Sequence, residues 1–381
     1  MEKNASQNAP RFASLRRMKI TRIEPILVTT PYTYGGIAKG ETATRWPTMD
    51  TLLVKVETDQ GLTGWGEAFG FSSCATTCTA IDSLIAPAAL GRDPSDIPAL
   101  MADLHRKLHT YGRSGPVYYG LSGLDIALWD IAGQIAGKSI ARLLSDDAAT
   151  MIPSYASLLR YDDAELAARN AADAVGRGYT RIKLHEIGVA EVKAAREAIG
   201  PKIELTLDTN CRWDPTQALT HARSMEPFNL TFIEEPVWPP EDYDRLREVS
   251  RGTRTAIAAG ENHTTLSDFE RLIDVGGVRY IQPSVTKVGG ITAMIEIIAM
   301  AHARGVAVAP HSPYFGPGLI AAAHLCASIA REAALEQFYA TLEARPFDGG
   351  VGVTSGTIQV PVDPGLGVKP DEAVIARCRV A

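Results

Sequence analysis

Asp208, Glu234 and Glu261 each follow or close an apolar run of strand length: IELTLD, LTFIEE and TAIAAGE. They are 26 and 27 residues apart, about the length of one strand, a loop, a helix and a return. The pattern therefore predicts successive βα units with one acid at the C-terminal end of each strand. In a parallel barrel those ends converge on one face. Carboxylates gathered there repel one another unless a hard divalent cation sits among them, so the spacing predicts a Mg²⁺ site. One such acid alone reads as a solvated loop carboxylate; three in the same register do not.

Other polar residues keep the same rhythm. Lys183, Ser284, His311 and Glu336 also end apolar runs, and from 183 to 336 the mean step is about 25 residues. This predicts an α/β fold: a modified TIM (β/α) barrel over residues 149–345, with polar side chains at its catalytic rim. Residues 18–148 have a different texture. KITRIEPILVTT, MDTLLVKVETD and LTGWGEA read as a small antiparallel sheet, and helical patterns follow at about 72–90, 96–110 and 119–144, so this part is expected to be an N-terminal α+β capping domain. Residues 1–17, polar and aperiodic, read as a disordered leader. PYTYGGIAKGETATRW, at 31–46, reads as a mobile loop expected to close over the barrel mouth. Residues 346–381 carry GTIQVPVDPGLGVKPD, whose short strand and Pro/Gly turns are not expected to extend a barrel; the segment should return to complete the capping domain.

Composition excludes several classes of function. With 45% apolar residues, 22% charged residues and a net charge of −6, the chain has no basic cluster to meet nucleic acid or an anionic membrane. Nor does any apolar run approach the roughly 20 residues that span a bilayer. A cytoplasmic location is expected, and a homo-oligomer. The five cysteines are odd in number and scattered, so they read as thiols. Gly289 and Gly290 lack a fuller glycine-rich motif and read as a tight turn, not a phosphate cradle; no organic cofactor is expected.

With the acids stand KLH at 183–185, PSVTKVGG at 283–290, APHS at 309–312 and ALEQF at 334–338. Together they make the chain resemble the enolase superfamily, closest to the mandelate racemase and acid-sugar dehydratase group of the mandelate racemase / muconate lactonizing enzyme family. The resemblance covers nearly all of residues 18–370. It implies that Mg²⁺ binds the substrate carboxylate and that the first step removes the proton α to it. By position Asp208, Glu234 and Glu261 match the metal ligands, and Glu336 matches an acid that hydrogen-bonds that carboxylate. Lys183 matches the first lysine of the family's Lys-x-Lys, while the second, the base, is replaced by His185. His311 matches a second acid/base. The aspartate that holds that histidine in the racemase group is here Ser284. Tyr34, in the loop, and Asn210, just past Asp208, are further substrate-site candidates.

The chemistry is coherent on its own terms. Removing a proton beside a carboxylate puts a second negative charge on an anionic group, and a divalent cation stabilises that charge as a Lewis acid. Lys183 and His185 alternate with Leu184, so on a strand both face the same side. An imidazole is already close to the right basicity, and enolase-type sites pair a Lys or His base with Mg²⁺. A hydroxyl at 284 can orient His311 but cannot stabilise its imidazolium as a carboxylate would, which suits His311 to proton donation. The first reading is a Mg²⁺-dependent dehydratase of a polyhydroxylated acid, with His185 as base and His311 as acid. A racemase or epimerase, or a cycloisomerase, is the alternative; a barrel that has lost catalysis fits poorly with three retained acids and two titratable groups.

Overall fold

The computed structural model describes residues 18–35, 48–347, 353–354 and 356–380. The leader at 1–17 and most of the loop at 31–46, with Lys39, Glu41, Arg45 and Trp46, lie outside the described residues.

The capping domain begins with β1 (Ile20–Thr30), the two-residue β2 (Tyr32–Thr33), β3 (Met49–Thr58) and β4 (Thr63–Ala68). β1, β3 and β4 form an antiparallel sheet in that order. Ile23, Ile26 and Val28 of β1 turn inward onto the helices. These are α1 (Cys74–Ala80), α2 (Ala86–Ala89), α3 (Ile97–Leu108), α4 (Pro116–Ala136) and α5 (Ile140–Leu144), with one π-turn between the first two. The helical pattern expected over 119–144 is thus two helices: Gly137, with φ 63°, adopts the left-handed conformation that ends α4. Helix α4 lies directly on β4 because glycines leave room for it. A Cβ on Gly66 would come 1.9 Å from the carbonyl oxygen of Gly123.

From β5 onward strand and helix alternate. The strands are β5 (Met151–Ser157), β6 (Arg181–Leu184), β7 (Glu204–Asp208), β8 (Phe232–Glu234), β9 (Ala256–Ala259), β10 (Tyr280–Ile281), β11 (Ala307–Val308) and β12 (Leu335–Phe338). Between them run α6 (Ala164–Gly176), α7 (Val189–Ile199), α8 (Pro215–Met225), α9 (Tyr243–Gly252), α10 (Leu266–Asp274), α11 (Gly290–Ala303) and α12 (Pro317–Ser328). The parallel ladder runs β11-β10-β9-β8-β7-β6-β5 and continues from β5 to β12. Among the described residues no ladder joins β11 to β12. The result is a curled sheet of eight parallel strands under an N-terminal cap, as expected of an enolase-type barrel. Leu184, Leu207 and Ile233 are fully buried in the apolar core, while their neighbours Lys183, Asp208 and Glu234 belong to the polar set. Side-chain caps fix where the helices start: Asp163, Asp214, Asp242 and Thr265 each accept backbone N–H groups of the helix that follows.

The tail departs from expectation. After β13 (Thr341–Leu342) and β14 (Val353–Thr354), β15 (Thr357–Gln359) pairs antiparallel with Met151–Pro153 of β5. The segment therefore does extend the barrel sheet. The reason is that β12 pairs only with Ser154–Ser157, leaving the first half of β5 without a neighbour on that side. Only beyond β15 does the chain cross to the cap: Leu366 N–H donates to Asp130, α13 (Glu372–Cys378) packs near β1, and Val380 N–H donates to Leu27.

Three acids of the cap are buried where it meets the rest of the chain. Glu67 accepts the N–H of Gly318 at 2.8 Å at the start of α12, and Asp125 accepts Thr292 N–H at 3.1 Å at the start of α11. Asp130 accepts Leu366 N–H at 2.8 Å and Trp65 N–H at 3.0 Å. Burial pushes Glu67 and Asp125 up to about 7 and Asp130 to about 6. No described helix is long and apolar enough to cross a membrane.

Candidate active site and metal centre

Asp208 and Glu234 are direct partners in the β7–β8 register, so their carboxylates lie side by side at the strand ends. Glu261 follows β9 by two residues, after Gly260. Each of the three offers an oxygen lying within 4.8 Å of the others. At an effective dielectric near 20, each such pair of charges costs about 3–4 kcal/mol. Three pairs would consume most of a domain's net stability, so something cationic must stand among them. One candidate is present: Lys183, fully buried, with its Nζ 2.6 Å from Glu336, 3.2 Å from Glu234 and 3.5 Å from Asp208. A single charge shared among three acids does not satisfy them. Asp208 Oδ2 and Glu234 Oε1 are buried and accept no hydrogen bond. Two orphaned hard oxygens within a cluster of three carboxylates fit a Mg²⁺-like cation.

The electrostatics of the cluster are divided. Burial raises Glu234, and the Asp208 anion adds to it, so Glu234 lies well above the carboxylate range. For Asp208 burial is outweighed by Lys183 and His185, and its acidity is increased. Burial likewise opposes ionisation of Glu336, yet Lys183 and His311 bring it down to about 2. Burial works against a charged Lys183, but Glu234, Glu336 and Asp208 hold its pKa well above the usual lysine value. These three acids thus favour the ammonium form of Lys183. Glu336 is also held by Ser157 Oγ–H at 2.7 Å and Ser312 N–H at 2.9 Å.

The two histidines flank the cluster in different states of hydrogen bonding. His185 Nδ1 is 2.5 Å from the carbonyl oxygen of Leu158, which can only accept, so Nδ1 carries the proton. Its Nε2, 3.3 Å from Asp208 Oδ2, is the nitrogen left to take one. His311 is the reverse. Its Nε2 lies 2.6 Å from Glu261 Oε2 and must donate, while its buried Nδ1 has no partner. Ser284 does not orient it: the Ser284 hydroxyl is bonded to the Tyr314 hydroxyl instead, and the Tyr314 ring meets His311 edge-on at 6.1 Å.

Of the remaining sequence candidates, Asn210 stands beside the cluster, its N–H donating to Asp208 Oδ1 at 2.8 Å. Tyr34 is stacked on Tyr161 and lines a groove with Asn170, Arg177 and Gln337. His263 is a buried core residue between Tyr243 and Phe269, with burial lowering it to about 4. Lys287 supports the site through the chain, donating from Nζ to the Glu261 carbonyl at 2.8 Å.

Sequence reasoning missed two acids. Glu235, visible in the Glu-Glu pair, has a positive φ of 44° and accepts Asn262 Nδ2–H at 2.7 Å; burial, with Glu261 adding, raises it to about 8. Glu186, next to His185, accepts Tyr161 N–H at 2.8 Å and Asp162 N–H at 3.2 Å, tying the loop after β5 to the segment that carries His185. Its only signal in the sequence is a carboxylate beside KLH.

Comparison with known proteins places this geometry. Residues 42–145 match the mandelate racemase / muconate lactonizing enzyme N-terminal domain, and residues 166–374 match the enolase C-terminal domain-like family. The chain is 32% identical to a D-galactonate dehydratase family member of Catenulispora acidiphila, over 97% of this chain and 91% of that protein. The crystal structure of the 3,6-anhydro-D-galactonate cycloisomerase of Zobellia galactanivorans superposes with a TM-score of 0.83 at 28% identity, covering 95% of this chain and all of that one. A mandelate racemase/muconate lactonizing protein of Paracoccus denitrificans, crystallised with magnesium, gives 0.85 at 26% identity over 95% of this chain and 98% of the other. The chain belongs to the enolase superfamily, in its mandelate racemase / muconate lactonizing enzyme family.

Proposed function

We propose that the protein is a Mg²⁺-dependent lyase that dehydrates an acid sugar. Asp208, Glu234 and Glu261 would hold the cation, which when bound supplies Lewis-acid stabilisation of the charge that develops on the substrate carboxylate. The chain's own groups do the rest. Lys183, held at 2.6 Å by Glu336, presents a fixed ammonium beside that carboxylate. His185 Nε2 takes the α-proton. The β-hydroxyl accepts a proton from His311 in its imidazolium form and leaves as water, the imidazole being left neutral, and the resulting enol becomes a 2-keto-3-deoxy acid by losing its hydroxyl proton and gaining one at the β-carbon.

The observation that carries this reading is the different hydrogen bonding of the two histidines: Leu158 O holds the His185 proton on Nδ1 and leaves Nε2, 3.3 Å from Asp208 Oδ2, as the nitrogen to take one, whereas the Glu261 carboxylate keeps a proton on His311 Nε2. One base and one acid are what dehydration needs. The D-galactonate dehydratase relative supports the substrate class, and the cycloisomerase neighbour keeps isomerisation of a related sugar acid as the second reading. The test is a panel of acid sugars and hydroxy acids with Mg²⁺, followed for 2-keto acid formation and for α-deuterium uptake from D₂O. A 2-keto-3-deoxy product supports the reading. Interconversion of two stereoisomers without loss of water would replace it with the isomerase.

A further inference from the structure

We infer that Arg160 is a specificity-determining residue that receives the distal carboxylate of a diacid sugar. The inference rests on the reading of the site just given and adds the substrate class.

Arg160 lies three residues beyond the end of β5, on the rim that also carries His185 and Asn210. Its Nε–H donates to the His185 carbonyl at 2.6 Å, and Nη2 reaches Asn210 Oδ1 at 3.4 Å. Both acceptors are neutral. Among the described residues no carboxylate comes within ion-pair distance of this guanidinium, whereas the cations nearer the chemistry are committed: Lys183 to three acids, Lys287 to the Glu261 carbonyl. The side chain is half-buried. A guanidinium whose described partners are neutral is stabilised by an incoming anion more than one already paired.

The geometry suits a carboxylate. A guanidinium has five N–H donors, of which two are used here, the one to Asn210 at the long limit of a hydrogen bond. The edge formed by the two terminal nitrogens remains able to take a carboxylate in a bidentate fork. The 2.6 Å bond to His185 O fixes that edge relative to the base. A substrate whose first carboxylate lies at the acid cluster, with its α-carbon at His185, would extend its remaining carbons toward the rim. A terminal carboxylate there meets Arg160; a terminal hydroxymethyl offers it no charge.

Binding can be separated from turnover with His185→Asn, which keeps the backbone carbonyl that Arg160 uses. With Mg²⁺ present, titration calorimetry on that variant would compare galactarate with galactonate and glucarate with gluconate. The diacid of at least one pair should bind more than about tenfold more tightly than its monoacid, the scale of a charge-assisted fork. Adding Arg160→Gln should remove that preference and leave monoacid affinity within about threefold; Arg160→Lys, which keeps the charge but not the fork, should retain part of it. Equal affinity for diacid and monoacid in both pairs, or an equal loss for both on Arg160→Gln, would overturn the inference and leave Arg160 as a brace for His185. If the wild type neither dehydrates any acid of either kind nor exchanges its α-proton, it is the underlying lyase reading that fails.

Discussion

His311 Nε2 lies 2.6 Å from Glu261 Oε2, so a proposed general acid and a proposed metal ligand share one proton-bearing contact. Burial opposes ionisation of Glu261, but His311, then Lys287 and Lys183, pull its pKa below the usual carboxylate range. The carboxylate therefore stays ionised, and its partner nitrogen keeps a hydrogen to give. Glu261 is claimed from two sides, by imidazole and by the acid cluster, and this couples the two halves of the site.

Because the three acids repel one another, replacing any of them should be read in metal affinity as well as in rate. Asp208→Asn, Glu234→Gln and Glu261→Gln are each expected to lower activity about a hundred- to a thousandfold, on the scale of removing electrostatic transition-state stabilisation. Mg²⁺ at a hundred times its Kd should stabilise the wild type by about 2.7 kcal/mol. A thermal shift on adding Mg²⁺ that persists undiminished in all three variants would place the cation elsewhere.

The different hydrogen bonding of the two histidines predicts asymmetric variants. His185→Asn should stop α-proton exchange with D₂O. His311→Asn should leave exchange measurable while reducing product formation by about 10²–10⁴-fold, the usual contribution of a general acid. NMR of recovered substrate decides it; loss of exchange in both variants to the same degree would contradict the assignment.

Gly260, with φ 146°, precedes Glu261, and a Cβ there would sit 2.6 Å from the backbone nitrogen of Gln282. Gly260→Ala has to move either β10 or Glu261. The expected result is weakened Mg²⁺ binding, seen by calorimetry, with the carboxylate itself untouched. Affinity equal to wild type would show that the strand yields instead.

Stability should fall as pH rises from about 5 to 8. Glu67, fully buried, has a folded pKa raised from 4.5 to about 7, chiefly by burial. A group raised on folding binds more protons in the native state, so its contribution is complete below the unfolded value and is lost as pH climbs through the folded one. The shift corresponds to roughly 2–4 kcal/mol. Glu67→Gln, still able to accept the Gly318 N–H, should flatten that stretch of the Tm–pH curve; an unchanged slope would show that Glu67 is not the group responsible.

Periodicity carried much of the fold. A βα unit repeats at a length set by strand, helix and two turns, so polar residues at strand ends recur at that interval and Asp208, Glu234 and Glu261 could be aligned from spacing alone. The pieces that escaped this reading depend on contacts between distant segments. Met151–Pro153 pairs with Thr357–Gln359, more than two hundred residues away, and no local pattern marks that partnership. The break at Gly137 was locally visible but was overridden by the helical spacing on either side.

The amino-acid sequence by itself determined which residues carry charge and which strand each one lies on or follows; Lys183 and His185 do both reach Asp208, although β6 ends at Leu184 and His185 lies just past it. Only the tertiary structure decided what those groups are. Leu158 O holds the His185 proton on Nδ1, Glu261 makes His311 Nε2 a donor, three carboxylates favour the ammonium of Lys183, and Tyr314 takes the Ser284 hydroxyl away from His311. Protonation and hydrogen-bond direction follow from which acceptor lies within about 3 Å, and that distance is set by packing between strands far apart in the chain.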